Sequence, residues 1–171
     1  MELQMNPRSW ASREPDWRAA AVAGLAAGAV LMVLDLCWPL TFGDGNPWVT
    51  SHKVAALLMG APALQSSGFD LAVVAAALLI HYSLGVFSGM VIGFCIARLH
   101  FEQRAGLTLA LGAVFGVLVY GVNFYVLTDF FPWFTDMRDM NTLMGHLVFG
   151  VSAALIYRRL SSTPGTPSTN R

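Results

Sequence analysis

The chain has 171 residues, of which 56% are hydrophobic and 12% are charged, against about 25% charged residues in an ordinary soluble domain. Its basic and acidic residues balance to a formal net charge of zero, so nothing in the charge indicates nucleic acid as a partner. Two cysteines are too few for a disulfide framework or a cysteine-based zinc site. The length suits one domain.

Four long blocks contain no Asp, Glu, Lys or Arg: residues 19–34, 71–97, 105–128 and 140–157. A helix needs about 20 apolar residues to cross the hydrocarbon core of a membrane. The first block reaches that length only if its helix runs past Asp35, and the fourth only if its helix begins near Met137. We therefore predict an all-α integral membrane four-helix bundle over residues 18–160, with helices at about 18–39, 69–98, 105–128 and 137–160.

Basic residues divide unequally between the two sides of this bundle. Eight lie on the side of the chain termini, whereas the opposite side has only Lys53 and Arg138. Because basic residues stay cytoplasmic, we predict that both termini are cytoplasmic and that the two long loops lie outside. Residues 1–17 then form a cytoplasmic N-terminal segment. Residues 161–171 contain no apolar side chain, and we predict a disordered cytoplasmic tail.

The first outer loop is longer than a connection requires. Thr50 or Ser51 can cap a short helix that runs to about Met59. One face of this helix is apolar, so we expect it to lie on the membrane or to roof the bundle, with Lys53 and His52 pointing towards water or lipid headgroups.

Short matches indicate an internal repeat. Residues 28–34 resemble residues 112–118, which lie 84 positions later, and 47–50 resemble 132–135 at a spacing of 85. His81 and His146 each precede a Gly-Val pair by four residues, at a spacing of 65. If real, the duplication gives two parallel helix hairpins related by a pseudo-two-fold axis along the membrane normal.

Glycines spaced four residues apart mark close-packing faces on the helices: Gly85, Gly89 and Gly93 on the second, and Gly112 and Gly116 on the third. Such faces let helix backbones approach closely within a membrane. We expect packing inside one bundle. The alternative, in which the glycine row of the second helix binds another subunit, stays open.

Ionisable side chains in a bilayer are costly and often functional. Asp35, His81 and His146, together with Asn123, all fall in the outer halves of their helices, where an outward-facing polar cavity would collect them. Haem between the two histidines is disfavoured, because a rise of 1.5 Å per residue places them about 8 Å apart in depth.

A methionine-rich stretch suggests a copper site as a second possible metal site. Met137, Met140, Met144 and His146 at helical spacing would suit Cu(I), although the methionines also fit a packed helix face. We predict no metal and no cofactor.

Several short motifs, most of them near the C-terminal end, resemble motifs of a known family. They are 112–116 (Gly-Ala-Val-Phe-Gly), 123–125 (Asn-Phe-Tyr), 131–134 (Phe-Pro-Trp-Phe) and 146–150 (His-Leu-Val-Phe-Gly), with 8–10 (Arg-Ser-Trp) and 46–48 (Asn-Pro-Trp) earlier in the chain. Together they resemble a family of small, uncharacterised four-helix proteins of the bacterial inner membrane. Some members are labelled sodium:proline symporter, but symporters of that class have ten or more helices. The resemblance implies fold and location, and it supplies no catalytic or ligand residues.

Motifs for an enzyme are missing from the sequence: there is no phosphate-binding Gly-Lys motif, no nucleophile elbow and no paired metal-ligand motif. We therefore predict a non-enzymatic membrane protein whose partners are the lipid bilayer and a homo-oligomer or larger membrane complex. It would serve as an accessory subunit or a small binding protein. The alternative is a small homo-oligomeric transporter or channel that uses Asp35, His81 and His146.

Overall fold

The computed structural model describes residues 14–42 and 45–161. Across these ranges the chain is helical and contains no strand. The long helices are α1 (Trp17–Phe42), α3 (Leu71–Leu99), α4 (Ala105–Gly121) and α5 (Met140–Ser161), and the shorter α2 (Val49–Met59) lies between the first two. All four long helices belong to segments that are long and apolar enough to cross a membrane. The predicted all-α four-helix membrane bundle is confirmed, and the chain is a multi-pass membrane protein.

Two aspartates determine where the second and fourth spanning helices begin. The Asp70 carboxylate accepts hydrogen bonds from the backbone N–H groups of Ala72 (2.8 Å) and Val73 (3.1 Å) at the start of α3. Asp139 accepts one from the N–H of Thr142 at 2.9 Å, so α5 begins at Met140. The prediction of a start near Met137 is wrong, because residues Pro132–Met137 form a separate 3₁₀ helix before this cap.

The short α2 ends at Met59, as predicted, but its cap was predicted wrongly. The helix begins at Val49, and the Asn46 side chain accepts a hydrogen bond from the N–H of Trp48 at 3.0 Å. His52 is only 3% exposed, so the expectation that it points towards water is also wrong. Its Nδ1 and Nε2 lie 2.6 Å and 2.8 Å from backbone carbonyl oxygens of the segment that leads to α3.

Glycines bring α1 and α3 into backbone contact. A methyl group added to Gly24 would overlap the carbonyl oxygen of Gly85, and one added to Gly89 would overlap that of Ala20. A methyl group on Gly93 would lie 2.8 Å from the Cβ of Ala20. The glycine row of α3 therefore packs inside the chain, as the first of the two alternatives expects.

Glycines also bring α4 and α5 into backbone contact. A methyl group on Gly112 would lie 2.5 Å from the carbonyl oxygen of Gly150, and one on Gly116 would overlap the carbonyl oxygen of His146. Helix α5 also packs against α1, so the two glycine-joined pairs form one bundle.

The half of the bundle where α1 begins and α5 ends, the terminal side, is tightly filled. Its core consists of small and aliphatic side chains together with the ring of Tyr157, which is 1% exposed. Completely buried members from three helices are Ala20, Ala23, Ala27, Ile92, Ile96, Ala153 and Ala154. The opposite half, the loop side, is packed less closely and contains the cavities described below.

Candidate functional site

A cavity of about 130 Å³ lies on the loop side of the bundle, bounded by α1, α3, α5, the end of the α4 span and α2. The four intramembrane polar residues predicted from the sequence all line it: Asp35, His81, Asn123 and His146. Two hydroxyl side chains, Thr50 and Ser88, complete its polar surface, and the rest is mainly aliphatic and aromatic. The structure thus brings together residues from four spanning segments that are separated by up to 111 positions in the sequence.

Asp35 is the carboxylate of this site. It also lines two neighbouring cavities, of about 60 Å³ and 290 Å³, and Thr50 lines both of them as well. Among the residues that the structure describes, none forms a hydrogen bond or an ion pair with the Asp35 side chain. A carboxylate without a partner inside a membrane-spanning helix is energetically costly, which makes it a strong candidate for a functional group.

Asn123 and His146 form a closed pair. His146 is 9% exposed, and its Nδ1 donates to the carbonyl oxygen of Thr142 at 2.8 Å. Because a carbonyl oxygen only accepts, Nδ1 carries the hydrogen and Nε2 of the neutral ring is an acceptor. The Asn123 amide nitrogen lies 3.4 Å from that Nε2 and donates to it. Both ring nitrogens of His146 are therefore bonded, and we call these two residues the closed pair.

A π-helical turn at Val122–Val126 contains Asn123. In this turn the N–H of Leu127 donates to the carbonyl oxygen of Val122, five residues earlier. Such turns are rare and occur frequently at functional sites. Arg138 supports the turn by donating to the carbonyl oxygen of Phe124 and, at 2.8 Å, to the hydroxyl of Thr128.

His81 differs from His146 in its partners. Its Nε2 donates to the carbonyl oxygen of Gly28 on α1 at 2.8 Å, which leaves Nδ1 of the neutral ring as an acceptor. No residue in the described ranges donates to that nitrogen. Asp35 and His81 therefore line the cavity as an open pair, in contrast to the closed pair of Asn123 and His146.

Two loop segments cover the cavity. The indole N–H of Trp133 donates to the backbone carbonyl oxygen of Lys53 at 3.0 Å, and the Lys53 ammonium lies 3.3 Å from a carboxylate oxygen of Asp136. Both segments also contribute to the cavity wall, through Val54 and Phe134. These two polar contacts connect the α2 segment to the segment before α5.

Met137 lines the same cavity as His146, but Met140 and Met144 do not. Met137 lies before α5 begins, which breaks the helical spacing on which a Cu(I) site depended, and Met140 is 65% exposed. Met144 lines a different cavity from His146. A haem is far larger than a cavity of about 130 Å³, so two histidine ligands for one iron would require the helices to separate.

The helix pair α1 and α3 and the helix pair α4 and α5, the two hairpins, make equivalent glycine contacts. The spacing that relates these contacts differs from the spacing of the short sequence matches. Gly85 contacts Gly24 and Gly28 as Gly150 contacts Gly112 and Gly116. The glycines of α1 and α4 therefore correspond at a spacing of 88 rather than 84. That spacing also relates Asp35 to Asn123, just as a spacing of 65 relates His81 to His146.

Comparison of the chain with protein-family models, with curated proteins and with solved structures finds no match. The resemblance to small bacterial inner-membrane proteins therefore stays a prediction. The candidate site is therefore defined by its geometry alone. Of its residues, sequence reasoning missed Thr50 and Ser88 as cavity-lining groups, because isolated hydroxyl side chains in apolar or loop segments give no signal of their own.

Proposed function

We propose that this chain is a small, non-enzymatic binding protein of the membrane, which holds a small solute in the cavity on its loop side. One observation carries the proposal: polar side chains from four spanning segments converge on one cavity, although each is expensive to place in a bilayer. A largely apolar cavity with a few convergent polar groups is the usual form of a small-molecule site.

The shape of the cavity favours binding over passage. Its deepest polar residue is Ser88, and one turn further along α3 lies Ile92, which is completely buried. Beyond that level the tightly filled core of the terminal side begins. A solute that enters from the loop side therefore meets a closed end.

The basic residues around the chain termini support an orientation with both termini in the cytoplasm. The bacterial inner membrane as the location is supported only by the resemblance described above. In this orientation the cavity faces the outer side of the membrane, and the protein binds a solute from that side. The accessory-subunit version of the hypothesis has less support, because the glycine faces that would attract a partner are used within the chain.

The test of this proposal uses cavity filling. Val119 lines the cavity, whereas Val117 on the same helix is 47% exposed on the outer surface of the bundle. Small amines, alcohols and carboxylates are added to the full-length protein in lipid nanodiscs, and the midpoint of thermal unfolding is measured. We expect at least one solute to raise the midpoint of the wild type and of Val117→Phe but not of Val119→Phe. If no solute does so, or if both variants respond equally, the binding proposal is wrong.

A second candidate function is transport by a homo-oligomer. The equivalent contacts of the two hairpins favour it, because many transporters are built from two repeats with the substrate site at their interface. A liposome flux assay separates the candidates. Flux of a solute that binds the cavity, lost in Val119→Phe and kept in Val117→Phe, would establish transport, and binding without flux would leave the binding protein.

A further inference from the structure

Resting on the proposed binding function, we propose that the ligand of the cavity is a small organic ammonium ion, held by the open pair of Asp35 and His81.

The charge of the cavity wall is the first reason. Asp35 is the one acidic side chain among the residues that line the cavity, and no Lys or Arg is among them. Asp139 adds a second carboxylate on the wall of the neighbouring cavity that Asp35 also lines. An anionic solute would meet repulsion here, whereas a cation would give Asp35 the partner that the described chain does not supply.

The hydrogen-bonding groups give the second reason. With Nε2 of His81 donating to Gly28, the free Nδ1 is an acceptor, and the Asp35 carboxylate is an acceptor as well. The hydroxyl of Thr50 lines the same cavity and can also accept. A primary ammonium group carries three N–H donors and no acceptor. The open groups of the cavity therefore match the chemistry of a primary ammonium.

The contrast between the pairs locates the ligand. Both ring nitrogens of His146 are bonded, one to the Asn123 amide at 3.4 Å and the other to a carbonyl oxygen of its own helix. No equivalent hydrogen bond joins Asp35 to His81 in the described ranges. A ligand gains most by binding where the protein groups are not already paired.

The size and the apolar wall define the rest of the ligand. The cavity measures about 130 Å³, close to the roughly 150 Å³ of a protein cavity that binds benzene. It can therefore hold about six non-hydrogen atoms. Its wall includes the aromatic rings of Phe124, Phe134 and Phe149. An alkyl chain would cover this surface, whereas inorganic ammonium would leave it empty.

The experiment compares four probes on the full-length protein in nanodiscs: n-butylammonium, inorganic ammonium, n-butanol and butyrate. Binding is measured by isothermal titration and by the shift in the thermal unfolding midpoint. The variants are Asp35→Asn and, as a matched control, Asp129→Asn, whose exposed carboxylate lies outside the cavity wall. We expect n-butylammonium to bind best, and Asp35→Asn to weaken it about tenfold or more. Asp129→Asn should leave binding unchanged.

The outcomes separate the two proposals. If n-butanol binds as well as n-butylammonium, or if Asp35→Asn changes nothing, the ammonium proposal is wrong while the binding function stands. If inorganic ammonium binds as tightly as n-butylammonium, the organic part of the proposal is wrong. If neither these probes nor the wider solute panel binds, the binding function itself is wrong. A variant that has lost its helical circular dichroism is replaced by Asp35→Glu, which keeps the charge and should keep binding of n-butylammonium.

Discussion

Replacing Gly112 by alanine tests the close contact between α4 and α5. The added carbon would lie 2.5 Å from the carbonyl oxygen of Gly150 and 2.9 Å from the Cβ of Ala154. Both distances are shorter than real Cβ contacts, so the two helices must move apart. Overpacking of this kind destabilises a protein by about 1–3 kcal/mol. Alanine is better than glycine in a helix by about 1 kcal/mol, so we expect a net loss of up to about 2 kcal/mol.

Gly121 on the same helix is the matched control, because a Cβ there would meet nothing within 4 Å. Gly121→Ala should therefore be neutral or stabilising by up to about 1 kcal/mol. The assay is reversible unfolding in mixed micelles with increasing SDS, followed by circular dichroism. Equal stability of the two alanine variants would refute the inferred backbone contact between α4 and α5.

Three further substitutions test the loop side by the same unfolding assay. His52→Ala removes the ring that contacts two backbone carbonyl oxygens, and we expect a loss of about 1–3 kcal/mol. Arg138→Met removes the donor to the carbonyl oxygen of Phe124, and it should lower stability by about 1–2 kcal/mol. Trp133→Phe removes the indole N–H bond to Lys53 and should cost about 1 kcal/mol. Hydrogen exchange in α2 should also become faster in Trp133→Phe, and unchanged exchange would contradict the role of this bond.

The fold class could be predicted from the sequence because the bilayer imposes a simple requirement. Runs without charged residues, as at 71–97 and 105–128, are long enough to cross it and too apolar for a soluble helix. The polar residues of the site could also be found, since Asp35 and the two histidines interrupt apolar segments. The convergence of these residues on one cavity was a prediction from depth alone, and the structure brings them together.

Helix ends and local backbone geometry were harder to predict. The side chain of Asp139 caps α5 and so determines where this helix starts. The apolar residues just before Asp139 suggested an earlier start. The π turn around Asn123 leaves no signature in an apolar stretch, although Arg138 stabilises it by donating to the carbonyl oxygen of Phe124. His52 looked like a surface residue because its two carbonyl partners come from the following segment. Partners of this kind follow from the tertiary structure and cannot be inferred from the residues next to His52.

The predicted repeat illustrates how contacts between helices can change a register that was taken from the sequence. Identical short strings align Gly28 with Gly112, but a Cβ on Gly28 would make only ordinary contacts of 3.6 Å or more with the side chains of His81 and Tyr82. Gly24 has the backbone contact that corresponds to that of Gly112. In apolar helices, glycine and alanine recur so often that a shift of one helical turn hardly changes the number of matches. The contacts between helices discriminate between the two registers.

The correspondence between the two hairpins leads to a last prediction about the cavity. If Asp35 and Asn123 occupy equivalent positions beside His81 and His146, the carboxylate can be moved from one hairpin to the other. The double variant Asp35→Asn, Asn123→Asp should then recover a large part of the n-butylammonium binding that Asp35→Asn loses. His146 can assist as His81 does, because one of its ring nitrogens is already bonded to Thr142 and the other is an acceptor. A double variant that folds, as judged by circular dichroism, but binds no better than Asp35→Asn would show that the two halves of the cavity are not equivalent.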